Sequence, residues 1–556
     1  MKKSIVIFIL SIGLLNLSCD IERNPYEQIA VTDLFGSPEA LQTATLGNYA
    51  LLKGTTGYGG WIDQIHRLSE YPGDNVSLSG STTDGLNYIY NYRAITNNNR
   101  VESFWRASYK AAVGCNVIIE SALEGESDEM NQLIGENYYL RGLIYFQMGN
   151  VFGRPYNQGI GNLSVPLKLT SDINDIPNRS TVGEVYDQVI KDLKKAAWLM
   201  NEDKTAAFAT KEAAQALLSR VYLYMENSDV AVKYADSVIN SNRYQLLVTN
   251  DFKTMNRLNP KSNSEAIFNV TLNKSADLSG QNDDWYTIGS LYASIDGTGW
   301  GEMYASSTYL DLLEQNENDA RHAFIQPKYV AAEEASRKPW VYWTYLDNND
   351  GQYKYQTHLT TETAGVTTFS RNSITYTVQE ETVNGKTIYY FMDGATKQYV
   401  KKGFEMEKRN GFPKWYIIKA SLQEDDVHLW SPSVSRLAEM HLNKAESYAK
   451  QNMDQEALDE INIIRKRADI PEYDLSNLPT GKTILDLVLD ERRLELAYEG
   501  HRKFDMFRNG RTIDRHYPGG HLWGSSPLYE IPATHNRVVE YLPEKQVLLQ
   551  NLTQND

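Results

Sequence analysis

The densest group of side chains that could carry out chemistry lies near the C-terminal end of the chain. Acidic and basic residues alternate there at helical spacing: Asp490, Glu491, Arg492, Arg493, Glu495, Glu499, Arg502 and Asp505. Two carboxylates of such a group are what a glycosidase uses as general acid and nucleophile. Arginines between the carboxylates instead favour mutual salt bridges along a solvated helix face. The pattern therefore predicts a structural cluster rather than a catalytic pair.

Other signatures of catalysis or metal binding are absent from the sequence. It has no glycine-rich phosphate loop, no Cys-x-x-Cys pair, no His-Glu-x-x-His and no Gly-x-Ser-x-Gly turn, and its nine histidines are scattered. Asp425 and Asp426 could ligate a hard cation, but two adjacent carboxylates are more often a solvated turn. Cys115 lies in an apolar helical stretch and is predicted to be a small core residue. We therefore expect no enzyme, no cofactor and no metal site.

Aromatic residues are the unusual component of the composition. The 556 residues include 37 Tyr, 10 Trp and 15 Phe, which is 11% of the chain. Ring faces that are exposed in loops can stack on sugars or peptides without any catalytic group. Six of the ten Trp lie between about residues 244 and 430, and of these Trp340 and Trp343 fit a binding platform or a core strand equally well. Other rings recur on apolar helix faces and are assigned to the scaffold: Trp105, Tyr109, Tyr138, Tyr145, Trp198 and Tyr222.

Apolar residues at spacings of three and four predict two blocks of helices. The predicted helices span residues 102–119, 129–151, 180–200, 211–225, 228–240, 433–450, 454–468 and 483–499. Ser180 or Thr181 is suited to cap one of them, and Thr210 another. Small residues at matched offsets, Ala231 and Ala457, are typical of tetratricopeptide-like helix pairs.

The remaining segments are rich in Asn, Gly and Ser. Residues 367–401 alternate in polarity, and Asn384-Gly385 within them predicts a β-hairpin. We therefore predict a mostly α fold in which tetratricopeptide-like helix pairs form a scaffold at about 100–243 and 432–510. This scaffold is predicted to pack against a loop-rich variable part, at about 50–99 and 244–430, with a little β-hairpin structure.

The N-terminus predicts export. Residues 1–18 combine two lysines with a short apolar run, as in a signal peptide, and Cys19 follows Ser18 as in a bacterial lipobox. Lipidation of Cys19 would leave residues 19–556 as a single mature domain. The formal charge of the chain is −16, and removal of the two lysines makes it −18 (−16 − 2). So acidic a chain is not expected to bind nucleic acid.

Eight segments, in the same order along the chain, resemble the SusD/RagB family of outer-membrane lipoproteins of Bacteroidetes. They include WRASYKAAVGCN from Trp105, ENYYLRGLIYFQMGNVFGRP from Glu136 and DERRLELAYEGHRKFDMFRNG from Asp490. The others are STVGEVYDQVIKDLKKA, ATKEAAQALLSRVYLY, SEAIF, SRLAEMHLNKAESYA and YEIPATHNRV. The resemblance implies a non-enzymatic protein that is anchored in the outer membrane through Cys19 and closes over a SusC-like TonB-dependent transporter.

The resemblance also implies where a ligand binds. The segment Gly297-Thr298-Gly299-Trp300 matches in part a ring-bearing segment of the starch-binding member of the family, without its Asn, and Trp285 or Tyr286 corresponds to an aromatic slightly upstream. In that member the region before the first helix contributes further contacts, for which this chain offers Trp61, Arg67, Asp74 and the set Tyr88, Tyr90 and Tyr92. The ligand-binding candidates are therefore Trp300, Trp285, Tyr286, Trp61, Arg67 and Asp74.

The leading hypothesis is a surface lipoprotein that binds glycans and delivers oligosaccharide or polysaccharide to a SusC-like transporter. A peptide-binding or purely structural subunit of the same kind of complex is the alternative, and a lipid-anchored hydrolase is a third hypothesis. Stacking does not identify the glycan, because an aromatic ring recognises the face of a sugar rather than its linkage.

Overall fold

The computed structural model describes residues 37–53, 60–80, 84–278, 285–383, 386–522 and 527–556. The predicted signal peptide, Cys19 and the Asn384-Gly385 turn lie outside the described residues.

Eight helices of the first half are α1 (Pro38–Lys53), α2 (Trp61–Ser69), α3 (Leu86–Tyr90), α4 (Asn99–Ser121), α5 (Asp128–Phe152), α6 (Val182–Leu199), α7 (Lys211–Tyr224) and α8 (Ser228–Ile239). The others are α9 (Thr249–Phe252), α10 (Lys274–Asp277), α11 (Ile288–Tyr292), α12 (Ser307–Leu313), α13 (Leu437–Lys450), α14 (Asp454–Arg467), α15 (Ile484–Leu496), α16 (Arg502–Arg508) and α17 (Glu544–Gln550).

Short strands pair in twos around these helices. They are β1 (Val76–Leu78) with β5 (Met303–Ala305), β2 (Leu163–Pro166) with β3 (Arg179–Thr181), β4 (Ala266–Asn269) with β17 (Ser433–Arg436), β6 (Ile325–Pro327) with β16 (Trp415–Ile417), β14 (Lys408–Arg409) with β15 (Phe412–Pro413), and β18 (Ile513–Asp514) with β19 (Glu530–Ile531). A larger antiparallel sheet contains β7 (Pro339–Asp347), β8 (Gln352–Thr363), β9 (Val366–Arg371), β10 (Ile374–Thr377), β11 (Gln379–Val383), β12 (Lys386–Asp393) and β13 (Thr396–Phe404).

The two predicted helical blocks form one scaffold. From α4 to α8 each helix packs against the next in the chain, and α8 packs against α13, where the second block begins. Ala231 and Ala457 are fully buried, so no large side chain separates the helices there. The prediction of a mostly α fold is confirmed, while the tetratricopeptide type of pairing stays a prediction.

Local capping chemistry explains where several helices begin. The Thr181 hydroxyl accepts a hydrogen bond from the Glu184 backbone N (3.2 Å), and the Glu184 carboxylate accepts one from the Thr181 backbone N (2.7 Å). Thr210 caps α7 by accepting from the Ala213 backbone N (3.2 Å). Both caps agree with the sequence prediction. The second block starts at Leu437 rather than at residue 433, because residues 433–436 pair with β4 as a strand.

Residues 61–69 form a buried helix rather than part of a ligand-facing loop. Trp61, Ile62, Ile65 and Leu68 recur at helical spacing and all lie in the main core. The Trp61 ring packs near Phe104, and its Nε1 donates a hydrogen bond to Ser108 Oγ (3.1 Å). The apolar periodicity of this short stretch thus outweighs the Gly-rich composition around it.

The larger sheet has the strand order β10-β9-β8-β7-β13-β12-β11. Its strands β11 and β12, on either side of Asn384-Gly385, pair antiparallel with Val383 opposite Lys386. The hairpin prediction is therefore confirmed, but the sheet is larger than predicted because β7 and β8 join it.

The sheet curls around its own aromatic core. The Phe391 ring of β12 lies 5.0 Å from Phe369 of β9 and 5.0 Å from Tyr376 of β10, between ring centroids. Trp343 belongs to this inner cluster, whereas Trp340 lies on the opposite side with Tyr342 and Met406. Both Trp side chains are buried. Of the two interpretations, the structure supports the core strand and not an exposed platform.

The rings assigned to the helical scaffold are buried or half-buried, with one exception. Trp198, in the last turn of α6, points to solvent and contacts the ammonium group of Lys195, which lies 4.3 Å from the ring centroid. Trp198 belongs to a scaffold helix as predicted, but it does not pack in the core. Apolar periodicity places a ring on a helix face, but only the neighbouring elements decide whether that face is covered.

The charged cluster of α15 is ionic but not solvated. Glu491 accepts from Arg321 Nη1 (2.7 Å) and Arg465 Nη1 (2.8 Å), and all three side chains are buried. Glu495 is fully buried between Arg436 and Arg467. The prediction of salt bridges is confirmed, and the prediction of a solvated face was wrong.

This buried network joins the two parts of the molecule. Arg321 comes from the loop-rich part and Glu491 from the scaffold, so their ion pair crosses between them. Desolvation raises the pKa of the Glu499 carboxyl, but the facing Arg436 and Lys419 outweigh it and hold the pKa at about 2. The network therefore carries paired charges, not a free acid that could transfer a proton.

Candidate ligand-binding site

Trp300 lies at the end of a tight turn in the loop-rich part. Ile295 and Thr298 exchange two backbone hydrogen bonds of 2.9 Å around Asp296 and Gly297. Both central residues have positive φ (50° and 81°), which is the backbone of a type I′ turn and is easiest for Asn, Asp and Gly. The turn leaves the Trp300 side chain 42% exposed.

The exposed Trp300 and the half-buried Trp285 form one edge. The Trp300 and Trp285 ring centroids are 5.3 Å apart with planes at 78°, and Trp300 Nε1 donates to the Trp285 carbonyl (2.8 Å). The same carbonyl accepts from Ser290 Oγ (2.7 Å). Because these bonds hold the indole of Trp300 in place, its exposed face is available for stacking without a large loss of rotamer entropy. We call this pair the tryptophan edge.

Arg409 supports the tryptophan edge from its outer side. Its Nη1 donates to the Trp300 carbonyl (2.9 Å) and its Nη2 to Glu302 Oε1 (2.8 Å). The pair is partly exposed, so it places one cationic and one anionic hydrogen-bonding group at the backbone of the segment that carries Trp300. Sugar hydroxyls can both donate to a carboxylate and accept from a guanidinium.

His428 supports the edge from the inner side. Its Nε2 lies 3.0 Å from the Thr298 carbonyl and its Nδ1 lies 3.1 Å from Ser421 Oγ. Gly299, with φ of 95°, has no room for a Cβ, which would lie 2.4 Å from His428 Nε2. The turn that carries Trp300 is therefore packed directly on a buried histidine.

The sequence candidates separate into two groups in the structure. Trp300, Trp285 and Tyr286 lie together at the edge, and buried Arg67 reaches this group by a long contact from Nη2 to the Tyr286 carbonyl (3.5 Å). Asp74 is buried in ion pairs with Arg502 and Arg493, which hold its pKa well below the usual range. Trp61 is in the helical core.

Trp61 and Asp74 are thus corrections to the site predicted from the sequence. Burial of Trp61 against α4 and ion pairing of Asp74 give both side chains structural partners and leave neither exposed to a ligand. Tyr90 and Tyr92 are likewise buried, with hydroxyls that donate to the Val76 and Pro72 carbonyls. Sequence reasoning missed Arg409, Glu302 and His428. Arg409 and His428 are more than a hundred residues from Trp300 along the chain, so no spacing pattern could have found them. Glu302 is only two residues after Trp300, but its role depends on its ion pair with the distant Arg409.

The acidic pair Asp425 and Asp426 and an open groove are two further features outside the tryptophan edge. Asp425 pairs with Arg257, and Asp426 with Lys274, and the described residues contain no cluster of three acidic, His or Cys side chains suited to a metal ion. An open groove of about 1290 Å³ lies elsewhere, between the turns at Glu226 and Lys450. No aromatic ring lines it in the described part of the chain, so it offers no stacking surface.

Comparison with known proteins identifies the family. Residues 264–546 match the model described as the SusD family, and residues 38–223 match one described as starch-binding, associating with the outer membrane. The chain belongs to the SusD family. As a member of this family it is a non-catalytic protein associated with the outer membrane. None of the described helices is long and apolar enough to cross a membrane.

Relatives of the SusD family match nearly the whole chain. SusD-like protein P2 of Formosa agariphila is 24% identical over 523 residues, which cover 91% of each protein. SusD-like protein P38 of the same organism is 21% identical over 527 residues, again 91% of each. The crystal structure of a SusD superfamily protein from Bacteroides thetaiotaomicron is 25% identical and covers 94% of this chain and 100% of its own, with a TM-score of 0.70.

A second solved structure shares the fold at lower identity. It is named a SusD-like carbohydrate binding protein from Bacteroides vulgatus, and it is 17% identical with a TM-score of 0.65. The alignment covers 93% of this chain and 97% of that one. The scaffold and the loop-rich part described above therefore constitute a SusD fold.

Proposed function

We propose that this SusD family protein captures glycans at the cell surface and delivers oligosaccharide or polysaccharide to a SusC-like TonB-dependent transporter. The observation that carries the proposal is the tryptophan edge, where an exposed indole is held by hydrogen bonds beside Arg409 and Glu302. The description of the family model as starch-binding, and the name of the structural neighbour as carbohydrate binding, support the same ligand class.

The edge is suited to capture rather than tight retention. Two rings at roughly 0.5–1.5 kcal/mol each supply about 1–3 kcal/mol of stacking energy. Hydrogen bonds from Arg409 and Glu302 would add selectivity for hydroxyl groups. A weak site of this kind releases its ligand readily, which delivery to a second protein requires.

Removal of the Trp300 ring tests the ligand site. We expect Trp300→Ala to weaken retention on a cognate polysaccharide by roughly 2- to 13-fold, the equivalent of one ring. Affinity electrophoresis or calorimetry against a polysaccharide panel measures the change. Trp198→Ala is the matched control, because it removes an exposed Trp from the scaffold. Unchanged binding of Trp300→Ala to every glycan that the wild type binds, or binding to peptides alone, would contradict the proposal.

Delivery and anchoring have separate tests. A large β-barrel transporter is expected to co-purify with the protein from gently solubilised outer membranes, and elution of the protein alone would contradict delivery. The proposed lipid anchor predicts that wild-type protein partitions with the membrane fraction and that Cys19→Ala does not. Membrane retention of Cys19→Ala equal to that of wild type would count against lipidation at this residue.

A further inference from the structure

One end of the helical scaffold exposes a group of large apolar side chains. Leu123, after α4, is 70% exposed, and Trp198, at the end of α6, is 65% exposed. Ile173 and Ile176, in the loop between β2 and β3, are 86% and 63% exposed. We call these four residues the apolar tip. Single exposed apolar residues are ordinary, but a group of them on one surface marks a contact site.

Hydrogen bonds and ion pairs bring the parts of the apolar tip to the same place. Glu124, next to Leu123, pairs with Lys195 (2.5 Å), whose ammonium group lies over the Trp198 ring. Glu120, in the last turn of α4, accepts from the Ser171 backbone N (2.9 Å). The loop that carries Ile173 therefore lies beside the same helix end.

The first described helix starts at this end of the scaffold. Leu41, in the first turn of α1, is buried with Ile118, Met130 and Leu133, and Ala122 packs against the cluster. Ala122 directly precedes Leu123. The N-terminal side of the described chain therefore begins close to the apolar tip.

The length of the preceding chain limits how far the tip can be from a lipid on Cys19. Seventeen residues, 20–36, separate Cys19 from Ser37. Such a segment spans at most about 60 Å when fully extended. A tether of that length holds the tip at an effective concentration in the millimolar range near the membrane surface, where even a weak contact is occupied.

We propose that the apolar tip lies against the lipid surface in which the protein is anchored, so that Trp198 and Ile173 enter the headgroup region. This proposal rests on the proposed lipid anchor at Cys19. Trp is suited to the interface because one edge is polar and the ring is apolar. Lys195 can keep its ammonium group in water while its stem follows the apolar surface.

The charges around the tip indicate which lipids it fits. Acidic residues outnumber basic ones near the tip: Glu120, Glu124, Glu126, Asp128, Glu129, Asp172 and Asp175 against Lys168, Lys191, Lys194 and Lys195. This balance gives no attraction to anionic headgroups, so the contact depends on apolar insertion. Contact with zwitterionic lipid is expected to be at least as extensive as contact with anionic lipid.

Quenching of Trp198 by brominated lipid tests the proposal. The mature, lipidated wild-type protein and its Trp198→Phe variant are reconstituted in phosphatidylcholine vesicles with and without brominated acyl chains. Their difference in emission isolates Trp198 from the other tryptophans. We expect that difference to fall at least twofold in brominated vesicles. In the double variant Ile173→Ser, Ile176→Ser, brominated lipid should quench the Trp198 emission much less than in wild type.

A matched control comes from α17, where Lys545 pairs with Glu102 at the opposite end of α4 from the tip. Leu548 and Leu549 on α17 are as exposed as the tip residues, so the double variant Leu548→Ser, Leu549→Ser should leave Trp198 quenching unchanged. Thermal unfolding curves that coincide with wild type show that each variant is folded. Equal loss of quenching in this control would overturn the assignment to the tip.

Sedimentation of the same vesicles separates the two proposals. If wild-type protein sediments with vesicles but Trp198 is not quenched, the membrane contact is overturned and the anchor stands; the tip is then a surface for a protein partner. If wild type and Cys19→Ala both remain in solution, the anchor fails and the membrane contact fails with it. Quenching that requires anionic lipid would also overturn the proposed apolar contact.

Discussion

The charged side chains around α15 and the tryptophan edge show opposite uses of chemically active residues. Around α15, Glu491 and Glu495 are buried and each is paired with arginines. At the edge, Trp300 is exposed and only its backbone and Nε1 are held. Side chains that have all their partners within the protein stabilise it, whereas side chains with one free face can bind something else. The difference predicts that changes in the first region affect stability and changes in the second affect binding.

The largest expected effect is loss of Arg436 from the buried network. Its guanidinium contacts Glu495, Glu499 and Glu265. Arg436→Met leaves these carboxylates short of a counter-charge, and we expect the free energy of unfolding in urea to fall by about 3–5 kcal/mol. Asp425→Ala, which breaks an exposed ion pair with Arg257, is the control, with an expected change below about 1 kcal/mol. Equal losses of stability in the two variants would contradict the claim that the buried network stabilises the fold more than an exposed ion pair does.

A smaller loss of stability is expected for Trp61→Phe. The change removes the hydrogen bond to Ser108 and leaves a small cavity in the core, with an expected cost of about 1–3 kcal/mol. Glycan retention of the folded variant should equal that of wild type. Weakened glycan binding without loss of stability would restore Trp61 to the ligand site.

The pH dependence of stability gives a further test at the boundary of the two parts. His66 is buried beside Tyr71, Trp430 and Arg67, with its Nε2 2.8 Å from the Tyr292 hydroxyl. Burial, and then the nearby Arg67 charge, lower its pKa to about 3. An unfolded histidine has a pKa of about 6.5, so as the pH falls the unfolded state takes up a proton before the folded state does. The contribution of neutral His66 to stability is therefore complete above that pH and is lost as the pH falls toward 3.

We therefore expect His66→Gln to flatten the pH dependence of unfolding. One proton contributes about 1.4 kcal/mol per pH unit between roughly pH 6 and 4. Urea unfolding of wild type and variant at several pH values measures the two slopes. Identical slopes would show that His66 is not buried in its neutral form.

The smallest effect on stability is expected for Arg409→Ala at the edge. Its ion pair is partly exposed, so the free energy of unfolding should change by less than about 1 kcal/mol. Loss of the hydrogen bond from Arg409 to the Trp300 carbonyl should weaken glycan binding by less than the loss of the Trp300 ring does. Arg257→Ala, of similar exposure, should affect neither. A loss of binding in Arg257→Ala equal to that in Arg409→Ala would exclude a specific role for Arg409.

Local patterns predicted much of the scaffold. The caps at Thr181 and Thr210 and the apolar periodicity of α4 to α8 involve residues close together in the chain, so the sequence contains the relevant interactions. Helix α2 was missed because its apolar stretch is short and lies in Gly-rich surroundings. The tight turn before Trp300 is also local, because Asp296-Gly297 favours the positive φ values that the turn needs.

The site as a whole depended on contacts that cross the chain. Arg409 and His428 meet the Trp300 loop from more than a hundred residues away, and no spacing rule reaches so far. The same limit explains Trp61, which is buried although it was a ligand-binding candidate, and Trp198, which is exposed although it lies on a scaffold helix. A ring on a helix or in a loop is covered or exposed according to what packs on it.

The sequence by itself determined the helical scaffold and the family, because periodicity, capping and motif order can be read along the chain. Only the tertiary structure decided which charges are buried and which rings are free. Burial depends on distant elements meeting, as Arg321 meets Glu491. Only when such elements remove a charge from water does leaving that charge unpaired become costly.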